Sequence, residues 1–118
     1  IEIQNMEMRE NSNQKNVFVA YAMGNFLSSD DYENAKIGLI VNIQITKSSE
    51  TDETYISKIT YTPSYINYNK VMGSYEVLDV RKEVEKYEAN DEDKVDENIY
   101  KILKEKLEMV DNKIGGNK

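Results

Sequence analysis

The residues of this chain best suited to chemistry are a Gly-Asn pair, a short acidic stretch and a concentration of tyrosines. Gly24 and Asn25 follow the apolar run VFVAYAM and precede Phe26. Glycine admits backbone conformations and close approaches closed to other residues, and the asparagine amide both donates and accepts. At the end of a strand such a pair suits either an ordinary turn or the wall of a cleft. Gly24 and Asn25 are therefore the candidate cleft-lining residues. Asp30, Asp31, Glu33 and Asn34 offer oxygen ligands of the kind calcium and magnesium use. Their spacing lacks the regular ligand positions and the glycine of a calcium loop, so a solvated acidic loop is the simpler reading. Of nine tyrosines, Tyr55, Tyr61, Tyr65, Tyr68 and Tyr75 cluster in the middle of the chain. They suit either stacking on a sugar or peptide, or packing as strand residues.

The sequence holds no histidine and no cysteine. That excludes Ser-His-Asp and Cys-His nucleophilic centres, thiol redox chemistry and zinc sites with nitrogen or sulfur ligands. No catalytic residue, metal ligand or cofactor ligand is assigned to this chain. Fifteen basic against 22 acidic side chains leave a net charge of -7, which argues against nucleic acid, and against an anionic membrane surface as the main partner. No apolar run is long enough to cross a membrane as a helix, and no basic-then-apolar leader is present. Ile1 already begins a strand-like pattern, so the chain is expected to be a piece of something longer.

These groups must be positioned by a single domain of 118 residues. The pattern predicts an α+β fold: an antiparallel or mixed sheet of about five strands in residues 1–80, then two helices in 81–114 packing on it. Residues 1–8 alternate with a slip near Gln4 and Asn5, as in a bulged strand. A polar turn (10–16) leads to residues 17–22, a nearly unbroken apolar run expected to be a core strand buried on both faces. A surface loop spans 28–36. Ile37, Leu39, Val41, Ile43 and Ile45 fall on one face of the cleanest strand. It is expected to pair antiparallel, across a long loop, with Tyr55, Ser57, Ile59 and Tyr61. Pro63 is expected to end that second strand, and a Tyr- and Asn-rich loop to precede a short strand over 74–80. Val80, Val84 and Tyr87 predict a short helix stopping near Ala89 and Asn90. Val95, Ile99, Ile102, Leu103, Leu107, Val110 and Ile114 predict a five-turn helix, with Gly115 and Gly116 at its stop.

Taken together, Gln4-Asn5-Met6-Glu7, the run VFVAYAMGNF ending at Phe26, Gly38-Leu39-Ile40-Val41 and Tyr61-Thr62-Pro63 resemble the C-terminal stretch of CapA-type poly-γ-glutamate capsule-biosynthesis proteins. The family pattern runs as Gln-Pro-x-Glu, a strand ending Tyr-Ser-Leu-Gly-Asn-Phe, then Gly-Leu-Ile and Tyr-x-Pro. Asn5 stands in place of the proline, and Ala22 and Met23 in place of Ser-Leu. The resemblance covers residues 1–80. It implies a calcineurin-like metallophosphoesterase sandwich in a longer bacterial parent at the cell surface. It also implies a divalent metal held in earlier motifs, the last being a His-Pro-His at or just before Ile1. Asn25 is the residue it carries over as lining the parent's cleft.

Three readings of function follow. In the first, this is a non-catalytic segment that completes the sheet of the parent, with the parent's N-terminal metallophosphoesterase-like region as partner. Apolar surface left open then makes the isolated chain self-associate. In the second, the chain contributes to a metal-dependent hydrolase or ligase active only with that N-terminal region. In the third, it is a surface binding module that uses its tyrosine-rich face.

Overall fold

A computed structural model gives the fold and describes residues 3–4, 6–10, 16–28 and 33–114. It is α+β, as the sequence predicts: β1 (Met6–Glu10), β2 (Asn16–Ala20), a 3-10 turn (Glu33–Lys36), β3 (Ile37–Lys47), β4 (Thr54–Asn69), β5 (Ser74–Asp79), α1 (Val80–Glu88) and α2 (Glu97–Ile114). All pairing is antiparallel, with β1 on β2 and β3-β4-β5 in order. Two bridges, Ile3 with Met23 and Gly24 with Gly38, join the β1-β2 ribbon to the edge of β3. The bulge expected at Asn5, the centre of the polar turn and the Gly115-Gly116 helix stop lie outside the described residues.

Burial is unequal along the sheet. On the odd-numbered face of β3, Ile37 and Leu39 are buried, whereas Ile43 and Ile45 are exposed. The buried end meets Tyr65, Val80, Val84, Leu103, Leu107, Val110, Ile114 and Ile3 in one core. The spacing of Leu103, Leu107, Val110 and Ile114 puts them on one stripe of α2, so a single helix face closes the sheet. Beyond it the β3-β4 hairpin projects as an arm. The molecule measures 54 × 29 × 26 Å, and the 16 residues of β4 alone reach about 53 Å when extended.

Side-chain bonds fix the helices in place. Asp79 caps α1 by accepting from Lys82 N at 3.1 Å, and Asp96 caps α2 by accepting from Ile99 N at 2.9 Å. Arg81 donates through both terminal nitrogens to Asp111, at 2.9 and 3.3 Å, and Tyr61 Oη donates to the same carboxylate at 2.8 Å. That cluster ties α1, α2 and β4 together. Tyr87 and Tyr100 stack with ring centres 4.0 Å apart.

Three expectations are corrected. Residues 17–22 are not a strand buried on both faces: β2 ends at Ala20, pairs only with β1, and leaves Val17 and Tyr21 exposed. An apolar run signals burial only where other layers cover both faces, and α1 and α2 lie on the β3-β4-β5 sheet instead. Pro63 does not end its strand: β4 runs on to Asn69, replacing the expected Tyr- and Asn-rich loop over 64–69. Pairing with β5 begins only at Ser64, so one side of β4 is unpaired at Pro63, and a missing N–H on that side breaks no ladder bond. Finally, Tyr55 and Ser57 do not continue the face of Ile59. A bulge between Gln44 and Ile45 sets Ile56 opposite Ile45 and Tyr55 opposite Thr46. Ser57 is the extra residue, and its hydroxyl donates to the Gln44 carbonyl at 3.2 Å.

Candidate functional site

Three stretches far apart in sequence meet where β2's extension touches β3. Gly24 has φ +73° and bridges Gly38. Gly38 pairs with Ser64, and Leu39 with Pro63. Both glycines are required by space. A Cβ on Gly24 would overlap the Ile37 carbonyl oxygen and stand 3.0 Å from Ile3 Cγ1. A Cβ on Gly38 would overlap the Asn25 carbonyl and lie 2.8 Å from Ser64 Oγ. Asn25 completes the joint: its backbone N–H donates to the Ile37 carbonyl at 3.2 Å and its side-chain amide to the Ala35 carbonyl at 3.0 Å. In this chain the Asn25 backbone therefore ties the loop to the start of β3, and its side-chain amide ties it to the 3-10 turn just before β3. Gly24 and Asn25 are both half-buried in the joint.

Ser64 is the residue that sequence reasoning passed over. It is 1% exposed, and its hydroxyl has no hydrogen-bond partner among the described residues. A buried, unsatisfied hydroxyl is unfavourable by about 1–3 kcal/mol. Nothing in the strand pattern marks it, because a serine between Pro63 and Tyr65 reads as polar.

The tyrosines divide. Tyr65 and Tyr68, with Lys36, Ile66, Asn67 and Tyr75, line an open groove of about 540 Å³. Tyr68 and Tyr75 are direct cross-strand partners, packed edge to face with ring centres 5.1 Å apart. Lys36 Nζ donates to Glu33 at 3.0 Å, and Tyr65 Oη donates to the same carboxylate at 3.4 Å. Burial, and then the Glu33 charge, push the Tyr65 phenol above its ordinary value. Tyr61 turns instead toward α1 and α2, and Tyr55 stands exposed on the arm. The pairing of Arg81 with Asp111, 30 residues apart, carried no signal in the sequence.

Glu33 from the acidic stretch pairs with Lys36 at the 3-10 turn, while Asp30, Asp31 and the Asn34 side chain lie outside the described residues. Among the described residues no three His, Cys, Asp or Glu side chains gather closely enough to hold a metal ion. With no imidazole or thiol in the sequence, this donor set does not fit the transition-metal centre that the family resemblance implies for the parent. No helix among the described residues is long and apolar enough to cross a membrane. Compared with family models, with curated proteins and with solved structures, the chain finds no match.

Proposed function

We propose that this chain is a non-catalytic C-terminal segment of a bacterial poly-γ-glutamate capsule-biosynthesis protein. It completes the sheet of a metallophosphoesterase-like parent at the cell surface and has the parent's N-terminal region as its partner. One observation carries the reading. The stretches that resemble the family, Gly-Asn-Phe, Gly-Leu-Ile and Tyr-x-Pro, are brought together at Gly24, Gly38 and Pro63, where close backbone packing gives the two glycines a physical reason. The exposed apolar side chains of Val17, Ile43 and Ile45 agree with a surface built to be covered.

The test joins the residues encoded upstream of Ile1 to this chain and assays phosphoester hydrolysis with manganese. Activity is expected only when the upstream region is present, and that region should contain a His-Pro-His. Turnover by the 118 residues alone would refute the proposal, as would an upstream sequence without that motif. Equal activity of the upstream region with and without this chain would leave a structural role and remove a catalytic one. The isolated chain is expected to self-associate through the open apolar surface, and a monomer by sedimentation at high concentration counts against that.

A further inference from the structure

The two most exposed large apolar side chains in the described structure are neighbours. Val71 is 97% exposed and Met72 is 74% exposed, at the turn between β4 and β5. Three of its backbone N–H groups are satisfied within the turn. Asn69 Oδ1 accepts from Val71 N at 3.0 Å and from Met72 N at 3.1 Å, and Gly73 N donates to the Asn69 carbonyl at 2.8 Å. Leaving water therefore strands none of these three N–H groups, which is the usual penalty for burying a loop tip. Directly behind the tip stand Tyr68 and Tyr75, each about half exposed and packed edge to face. Between Tyr68 and Tyr75 the one charged residue is Lys70.

We propose that the β4-β5 tip dips into the surface of an anionic lipid bilayer, with Val71 and Met72 below the headgroups, the Tyr68-Tyr75 pair at headgroup level and Lys70 on lipid phosphate. The dimensions agree. Two residues on each side, Asn69 and Lys70, and Gly73 and Ser74, separate the tip from the tyrosines, a span of about 7 Å, and interfacial segments bury to about 5–10 Å. Tyrosine favours that boundary because its ring is apolar and its hydroxyl polar. A lysine stem lies along apolar surface while its ammonium reaches the phosphates. The whole-chain charge of -7 does not decide the matter. Charges farther than about 8–10 Å from the membrane are screened at physiological salt; from Tyr68 to Tyr75 the one charge is Lys70, and Glu76, the next residue along β5, is held by the Asn67 side-chain amide at 2.9 Å. A protein groove fits the tip less well. A stable protein contact buries about 800 Å² on each partner, far more than two side chains offer, whereas a bilayer needs no matching shape.

The experiment uses the full chain and vesicles of phosphatidylcholine, alone or with one quarter phosphatidylglycerol. Co-sedimentation is expected with the anionic vesicles and to fall at least five-fold in the Val71→Ser/Met72→Ser double variant. Circular dichroism should match that of the parent chain, because both side chains are exposed. The natural chain lacks tryptophan, so Val71→Trp provides a single reporter whose emission should shift to the blue on anionic vesicles. An unshifted emission, equal binding to both vesicles, or undiminished binding by the double variant would each overturn the proposal. Absence of vesicle binding together with self-association abolished by the double variant would overturn it in favour of a protein contact.

Discussion

Gly24 and Gly38 face each other across an antiparallel bridge in which each lacks the β-carbon that would strike backbone at the joint: the Ile37 carbonyl for Gly24, the Asn25 carbonyl for Gly38. Gly24 carries the further demand of φ +73°. Gly24→Ala should therefore lower the unfolding free energy by at least about 2 kcal/mol, since strain and overlap add. Gly38→Ala should lose a similar amount through overlap alone. Gly73 has φ +67° but open space around it, so Gly73→Ala should lose only about 1 kcal/mol. Denaturant unfolding of the three variants checks the order. Equal losses at Gly24 and Gly73 would show that the packing at the joint contributes nothing.

Ser64→Ala removes a hydroxyl that is buried without a partner among the described residues, and leaves the Cβ packing intact. In the isolated chain it should leave stability unchanged or raise it by about 1 kcal/mol. Thermal unfolding checks it, and a loss of stability would mean that the hydroxyl is already satisfied.

The parts of the fold legible in the sequence are those in which apolar residues repeat regularly along a whole element. The stripe Leu103, Leu107, Val110 and Ile114 marked α2 because periodicity and burial coincide there, whereas the odd-numbered residues from Ile37 to Ile45 marked β3 by alternation although only Ile37 and Leu39 at its start are buried. Residues 17–22 misled because apolar character records what a strand tolerates, while cover depends on which layer the rest of the chain provides. Pro63 misled because its effect depends on whether the neighbouring strand has begun, which is a tertiary fact. At the candidate site, Gly24 and Asn25 stood out by residue type. Their partners Ala35 and Gly38 became visible only with the folding of the loop onto the start of β3, and Ser64 beside Gly38 only with the register of β3 against β4.

Leu103 is fully buried between α2 and the sheet, whereas Ile45 is 65% exposed on the arm. Leu103→Ala should destabilise by about 2–5 kcal/mol, from lost burial and the cavity left behind. Ile45→Ser should change stability by less than about 0.5 kcal/mol. Urea unfolding measures both. A large loss for Ile45→Ser would show that the arm is packed in solution, against the open face described for it.

Tyr61 predicts a loss of stability at high pH. Its phenol is pushed up by burial first, and then by the Asp111 carboxylate that accepts its hydrogen bond; the Arg81 guanidinium on the same carboxylate opposes this only in part. Burial raises Tyr65 in the same direction. A raised phenol means that folding favours the protonated form. The stabilisation is therefore complete below the unfolded tyrosine value of about 10 and is lost as pH rises through the higher folded values. The Arg81 guanidinium, itself pushed up by Asp111, stays charged throughout that window and adds no slope. Tyr61→Phe keeps the ring and removes the proton. It should lose about 1 kcal/mol at pH 7 with the Asp111 hydrogen bond, yet decline less than the parent chain between pH 9 and about 11. Tyr21 and Tyr100 are raised by hydrogen bonds to Glu7 and Glu88, so part of the alkaline slope should survive in the variant. Urea midpoints taken across the range decide it: parallel curves for the two proteins would mean that Tyr61 titrates in the fold as it does in the unfolded chain.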